Sequence, residues 1–192
     1  MRKLLERPPR PVRHRFDVDD YYRMAETGIL RREDRVELID GEIIDMPAIG
    51  SPHAGITNRL NRLFGRAAAD GLVLVAVQNP LWLDNFDEPE PDLMLLRPRA
   101  DDYRTSHPSA ADVLLLVEVS DSSLNYDRGT KLALYTGFGV PEVWIIDIAG
   151  AAVEVYRQSK ESALTSHERR TSGPLSPGLV PGVVIDVAAL FT

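Results

Sequence analysis

The chain is organised around two apolar runs, Pro91-Asp92-Leu93-Met94-Leu95-Leu96 and Val113-Leu114-Leu115-Leu116-Val117-Glu118-Val119. Both runs are rich in residues that favour buried β-strands. Each run also carries one carboxylate, because Asp92 opens the first and Glu118 lies near the end of the second. A carboxylate in a buried strand is costly unless a proton, a cation or a hydrogen-bond donor compensates for its lost hydration. Two such carboxylates therefore suggest a divalent metal site.

The composition is typical of one acidic globular domain. The chain has 192 residues, 44% of them hydrophobic, and no cysteine, which excludes disulfides and thiolate metal sites. No apolar run approaches the ~20 residues that span a bilayer, and the N-terminus has no apolar signal core, so we expect a cytoplasmic protein outside the membrane. The net charge of −7 argues against broad attraction to nucleic acid. A local basic groove and a carboxylate site loaded with cations both remain compatible with it.

The chain divides into an arm and a domain. Residues 1–15 are rich in arginine and proline and predict a basic flexible arm, which is either a solvated tail or a contact for a phosphate backbone. Residues 16–192 predict a single domain. It begins with a helix from Val18 to about Glu26, for which Asp17 is a suitable N-cap.

An early hairpin supplies a further acid. Asp40-Gly41 suits a two-residue type I′ turn, which pairs Leu38 with Ile43 and Glu37 with Ile44. Glu37 is then either a solvated strand residue or an acid that points into a site.

A helix is predicted to start at Ser51, which can cap it. Its apolar stripe comprises Ile56, Leu60, Leu63, Phe64 and Ala67. His53 lies on or beside this stripe and is either a packed histidine or a functional one. Arg59, Arg62 and Arg66 face elsewhere, where they form a solvated surface or meet phosphates.

Further polar candidates follow this helix. Leu72–Val77 predicts a central strand, and Gln78 at its end could orient water or substrate. The acids of the loop over residues 84–91 are expected to be solvated.

A strand, a helix and a strand then follow in succession. The strand over residues 113–119 precedes a helix predicted from Asp127 to Phe138, and Val143–Asp147 predicts the next strand. This order implies a crossover and at least one parallel strand pair. Lys131 on the helix either pairs with Asp127, four residues earlier, or reaches the carboxylates of the preceding strands.

These residues would suit phosphodiester hydrolysis. Mg²⁺ or Mn²⁺ prefers oxygen ligands, which Asp92, Glu118 and the carbonyl of Val119 could provide. Lys131 could orient the attacking water or stabilise the transition state. Glu37 could be a third carboxylate. The alternatives are that Asp92 merely caps a strand and that Glu118 forms a buried ion pair.

Four blocks of the sequence stand out together: Val36 to Glu42, Pro89 to Leu93, Val117 to Ser120, and Lys131 to Trp144. Together they resemble the Uma2 family of bacterial proteins, which belongs to the PD-(D/E)XK nuclease superfamily. The resemblance implies an α/β (α+β) restriction-endonuclease-like fold, with a mixed central sheet flanked by helices and an N-terminal hairpin. It also implies that Asp92 and Glu118 are the two acids of the superfamily's site.

The chain departs from the superfamily pattern at two points. Ser120 stands where the superfamily's usual lysine would be, two residues after Glu118, and the resemblance implies that Lys131 on the following helix takes its place. The helix from Ser51 carries no early acid, so Glu37 on the hairpin is the best candidate for that position.

The leading hypothesis is a Mg²⁺-dependent endonuclease that hydrolyses DNA through a metal-activated water. The alternatives are a catalytically inactive nuclease-fold protein that binds nucleic acid or protein, and a structural or regulatory dimer. Catalysis is assigned to Asp92, Glu118, Lys131 and Glu37, and substrate contacts to Gln78 and His53. A homodimer is expected because duplex cleavage commonly needs two active sites.

Overall fold

The computed structural model describes residues 12–158, 165–180 and 182–192, so most of the predicted basic arm lies outside the described residues. The helices are α1 (Val18–Glu26), α2 (Ser51–Ala69), α3 (Leu124–Tyr126) and α4 (Leu132–Gly137), and a π-helical turn (Asp127–Lys131) joins the last two. The strands are β1 (Val36–Ile39), β2 (Glu42–Asp45), β3 (Leu74–Val77), β4 (Leu93–Leu96), β5 (Val113–Ser120), β6 (Glu142–Asp147), β7 (Ala152–Gln158), β8 (Thr165–Arg170), β9 (Pro174–Leu175) and β10 (Ile185–Asp186). Short 3₁₀ turns lie at Ala110–Asp112 and Ala188–Leu190. Within the described residues, no helix is both long and apolar enough to cross a membrane.

The central sheet is mixed, as predicted. Six strands lie in the order β3-β4-β5-β6-β7-β8. Only β5 and β6 pair in parallel, through the crossover that contains α3, the π-helical turn and α4. The helix of this crossover begins at Leu124, three residues earlier than predicted, and continues to Gly137.

The prediction of a central strand over residues 72–77 was wrong. The strand starts at Leu74 and lies at the edge of the six-stranded sheet, next to β4. The strand is apolar because both of its faces are buried, not because it is central. Val75 and Val77 pack towards one core, and Leu74 and Ala76 pack towards the other.

Helices cover both faces of the sheet. On one face α2 packs Ile56, Leu60, Phe64 and Ala67 against alternate residues of β4, β5 and β6, including Leu95, Val117 and Trp144. On the other face Tyr135 of α4 packs with Met94, Leu116 and Ile145. The alternation follows from the period of two in a strand. It places Met94, Leu96 and Leu116 on the α4 side, and a register shift between β4 and β5 reverses it at Val113 and Leu114.

The ends of the early elements were only partly predictable. The side chain of Asp17 accepts a hydrogen bond from the backbone N–H of Asp20 and caps α1. Ser51 was wrongly predicted as a cap: it is the first residue of α2, and Gly50 occupies the N-cap position without a side-chain hydrogen bond.

The hairpin has the predicted register, with Leu38 opposite Ile43 and Glu37 opposite Ile44. Asp40 and Gly41 both have positive φ, as a type I′ turn requires. All four residues of β1 are buried, because the loop before β4 covers its free edge through hydrogen bonds between the backbones of Leu38 and Glu88.

The acids of that loop are not all solvated, contrary to the prediction. Asp87 and Glu88 are buried. Asp87 accepts a hydrogen bond from the backbone N–H of Asp40, and Glu88 accepts one from the Tyr22 hydroxyl. Each buried carboxylate thus accepts a hydrogen bond from a residue that is distant in sequence, and the sequence pattern did not reveal this donor.

Candidate active site

A cavity of about 370 Å³ opens at the end of the sheet where β4 begins and β5 ends. The hairpin, the N-terminus of α2 and the π-helical turn also contribute to its walls. Its acids are Glu37, Asp45, Glu90, Asp92, Glu118, Asp121 and Asp127, whereas its basic side chains are Arg35, His53 and Lys131. The cavity therefore concentrates negative charge, which favours the binding of cations.

The pairing of β4 with β5 brings Asp92 and Glu118 together. Leu93 pairs with Val117 in this antiparallel ladder, so Asp92 and Glu118 occupy the next opposed positions. Glu118 contacts Tyr135 of α4, whereas Asp92 contacts His53 of α2. Like charges directly opposite each other are destabilising in a sheet, and neighbouring groups must therefore stabilise this pair.

Lys131 provides the main compensation. Its ammonium lies 3.0 Å from a carboxylate oxygen of Glu37 and 3.1 Å from Oε1 of Glu118. All three side chains are buried. A lysine on the crossover helix thus joins an acid from the hairpin to an acid from the central sheet, and the helical pair with Asp127 that the sequence also allowed is not the one adopted.

The carboxyl group of Glu118 is in an unusual environment. Tyr135 donates a hydrogen bond of 2.5 Å to the same oxygen, Oε1, that contacts Lys131. Burial raises the pKa of Glu118 to about 8, although the Lys131 ammonium acts in the opposite direction. The neighbouring carboxylates of Asp92, Asp127 and Glu37 raise that pKa further. The pKa of the Lys131 ammonium is itself raised by Glu118 and Glu37 against the effect of burial, so it stays charged.

Asp92 is held by three neighbours. Oδ2 accepts a hydrogen bond of 2.8 Å from the backbone N–H of Val119, and Oδ1 lies 3.0 Å from Nε2 of His53 and 3.4 Å from Nε2 of Gln78. Gln78 has a φ of 51°, which is uncommon for a residue with a side chain. The two substrate-contact candidates thus both reach Asp92, and His53 also lines the cavity.

Ser120, the last residue of β5, makes a structural contact. Its hydroxyl donates a hydrogen bond of 2.6 Å to Asp127, as does the hydroxyl of Ser123. Asp127 opens the π-helical turn that ends at Lys131. Ser120 and Ser123 therefore hold the π-helical turn that carries Lys131 against the end of β5.

Sequence reasoning missed three residues of the site. Tyr135 could have been identified by its spacing of four residues from Lys131, which places both on one side of a helix. Tyr126 lines the cavity with a buried hydroxyl that has no hydrogen-bond partner among the described residues. The role of Asp127 was hidden because the sequence does not show which residue the hydroxyls of Ser120 and Ser123 contact.

The residues fit a hard divalent cation in kind and number. Asp92, Glu118 and Val119 offer two carboxylates and a backbone carbonyl to one cavity. Mg²⁺ is commonly bound by one or two carboxylates and keeps several waters or substrate oxygens. Among the described residues, no group of three His, Asp or Glu side chains could hold a metal ion by itself, so such a cation would depend on water and substrate for its other ligands.

The mixed sheet, the crossover and the acid–lysine cluster at the sheet end define a restriction-endonuclease-like fold. The chain is similar to a crystal structure from Anabaena variabilis, described as a putative nuclease belonging to DUF820, with a TM-score of 0.72 and 16% identity over 92% of this chain and 97% of that one. No curated protein matches the chain. The sequence model of the Uma2 family, described as "Putative restriction endonuclease", matches residues 18–188. The chain belongs to the Uma2 family.

Proposed function

We propose that the protein is a Mg²⁺- or Mn²⁺-dependent endonuclease that hydrolyses phosphodiester bonds of DNA. The observation that carries this proposal is the position of Lys131 between Glu37 and Glu118, in the cavity that Asp92 and Val119 also line. A nuclease of this kind combines carboxylates for a cation with a nearby ammonium for developing negative charge. The Uma2 family and the nuclease fold support a nucleic acid as the substrate class.

Each side chain has a role in this proposal. Asp92, Glu118 and the carbonyl of Val119 would hold the cation, which when bound polarises the scissile phosphate and activates water. Lys131 stabilises the negative charge that develops on the phosphate, and Glu37 fixes the ammonium in place. His53 and Gln78 orient Asp92 and contact the substrate. A cytoplasmic location and a homodimer, which would present two sites to a duplex, complete the proposal.

Nicking of supercoiled DNA tests the catalytic assignment. We expect Glu118→Gln and Lys131→Met to lower nicking at least a hundredfold, because the first removes a carboxylate that holds the cation and the second removes the ammonium that stabilises charge on the phosphate. The matched control is Arg104→Ala, an exposed residue of the surface connection between β4 and β5, which should nick at the wild-type rate. Full nicking by either site variant would contradict the assignment.

A catalytically inactive, binding role is the second candidate function. The observation in its favour is that no three His, Asp or Glu side chains of the described residues form a metal-binding group. Calorimetric titration with Mn²⁺ separates the two candidates: the nuclease should bind the ion, and Asp92→Asn should abolish the heat of binding. A wild-type protein that binds no ion, even with DNA present, favours the inactive role.

A further inference from the structure

One face of α2 is uniformly uncharged or basic in a protein whose net charge is −7. The helix contains three arginines and no acid over its 19 residues. Its buried side packs into the core through Ile56, Leu60, Phe64 and Ala67. Its exposed side presents Gly55, Asn58, Asn61, Arg62 and Arg66.

Arg62 and Arg66 differ from most other arginines in their surroundings. Arg99, Arg128 and Arg157, for example, are neutralised by Asp101, Glu154 and Glu142. Within the described parts of the chain, no carboxylate lies within ion-pair distance of Arg62 or Arg66. Arg59 instead donates to the carbonyl of Ala189 near the C-terminus. Two exposed guanidinium groups are therefore available to an external anion.

The N-terminal end of α2 borders the candidate active site, and the exposed face runs along the opposite side of the helix from His53. Gly50 and His53, at the start of α2, line the cavity. At 1.5 Å per residue, Arg62 and Arg66 lie roughly 14 and 20 Å from His53 along the helix axis. Between them, Gly55 has open space above it and Asn58 is exposed. The helix surface nearest the cavity thus carries small or uncharged side chains, and the two arginines lie farther along the helix.

We propose that the exposed face of α2, formed by Gly55, Asn58, Asn61, Arg62 and Arg66, is a track for the phosphate backbone of DNA that leads to the cavity. The inference rests on the proposed function, because the strand that reaches the cavity is its substrate. Arginines and asparagines donate to phosphate oxygens without reading bases. The track also explains how an acidic protein holds a polyanion, because the phosphates are bound by a helix face that has no acid.

The test is metal-free DNA binding, measured by fluorescence anisotropy with a short labelled duplex in EDTA between about 50 and 200 mM salt. Neutralising a phosphate releases counterions, so the slope of log affinity against log salt falls by about 0.9 for each phosphate that the protein no longer neutralises. We expect Arg62→Ala/Arg66→Ala to lower that slope by nearly two and to weaken binding on the order of tenfold or more at the lowest salt.

Two controls make the measurement specific. Arg32→Ala/Arg104→Ala removes the same charge at two exposed positions outside α2 and should retain the wild-type slope. Arg62→Lys/Arg66→Lys keeps the charge on α2 and should also retain it. Equal slopes for the two double alanine variants would overturn the track, as would a wild type whose DNA binding does not depend on salt. A change of sedimentation coefficient in Arg62→Ala/Arg66→Ala, with an unchanged slope, would assign the face to a second copy of the chain instead.

The proposed track and the proposed nuclease activity can each be contradicted without the other. If the wild type binds with an arginine-dependent slope but never nicks DNA in Mg²⁺ or Mn²⁺, the track stands and the proposed activity falls. If the wild type nicks DNA and Arg62→Ala/Arg66→Ala leaves both the slope and the nicking unchanged, the activity stands and the track falls.

Discussion

The hydroxyl of Tyr126 is, with Nδ1 of His53, one of two buried polar side-chain atoms of the site that lack a hydrogen-bond partner among the described residues. Tyr126 also lines the cavity. An unpaired buried hydroxyl costs about 1–3 kcal/mol of stability. Burial, with a contribution from Glu37, raises the pKa of Tyr126 to about 12, so the group remains a hydrogen-bond donor at neutral pH. A bound ligand that accepts a hydrogen bond from this hydroxyl would offset the loss of stability.

Tyr126→Phe should therefore separate activity from stability. We expect the free energy of unfolding to stay the same or rise, whereas kcat/KM for DNA nicking falls on the order of tenfold, because the variant lacks a hydrogen-bond donor to the substrate. Denaturant unfolding and nicking kinetics measure the two quantities. Tyr135→Phe is the matched control: its hydroxyl donates to Glu118, so this variant should be less stable than the wild type. A lower stability of Tyr126→Phe with unchanged nicking would show that the hydroxyl has a structural partner.

At the level of single residues, the sequence predicted the acids better than their partners. Asp92 and Glu118 stand out because a carboxylate within an apolar strand is rare. Their proximity follows from strand register, which the sequence determines only once the neighbouring strands are known. Tyr126 and Tyr135 carry no such signal, since an aromatic residue on a helix is usually part of the core.

The π-helical turn at Asp127–Lys131 is the element on which the site geometry depends. A π-turn is equivalent to one extra residue in an α-helix, and such turns occur frequently at functional sites. Here it lets Asp127 reach Ser120 and Ser123 while Lys131 reaches Glu37 and Glu118. In a regular helix, one residue fewer changes the angle between its two ends by about 100°.

Deleting Thr130, an exposed residue of this turn, should break one of the two sets of interactions. We expect a folded protein with a lower melting temperature and at least a tenfold reduction in nicking, because Asp127 and Lys131 can no longer both face their partners. Circular dichroism during heating and the nicking assay measure these effects. The substitution Thr130→Ala keeps the length of the turn and should behave as the wild type. Wild-type nicking by the deletion variant would show that the turn does not position Lys131.

The sequence predicted a helix at this place but not the π-turn, because hydrophobic periodicity is too coarse to register one extra residue. It also predicted a central position for β3, which was wrong. An apolar run indicates that both faces of a strand are buried, but it does not indicate where the strand lies in the sheet. The hairpin was predicted correctly, because Asp40-Gly41 determines both the turn and the register.

For the whole molecule, the mixed sheet with helices on both faces followed from the strand, helix, strand order together with the family resemblance. The convergence of Glu37 with Lys131 required more. It depends on the loop before β4, which pairs with β1 and buries Asp87 and Glu88. Interactions of this kind, between segments far apart in sequence, leave no local pattern, so the site was predicted as a set of residues rather than as a geometry.

The raised pKa of Glu118 makes the stability of the whole metal-free protein depend on pH. The folded state holds the Glu118 proton up to a pKa of about 8, whereas an unfolded glutamate releases it near pH 4.3. Between these values the folded state binds more protons, so the contribution of Glu118 to the free energy of unfolding falls as the pH rises. Each pKa unit of difference corresponds to ~1.4 kcal/mol. Urea unfolding in EDTA at pH 5, 6.5 and 8 should show that the stability of the wild type minus that of Glu118→Gln decreases steadily, because glutamine cannot titrate. A difference that stays constant or increases with pH would mean that Glu118 is ionised throughout, held by Lys131, and that no proton has to leave before a cation binds.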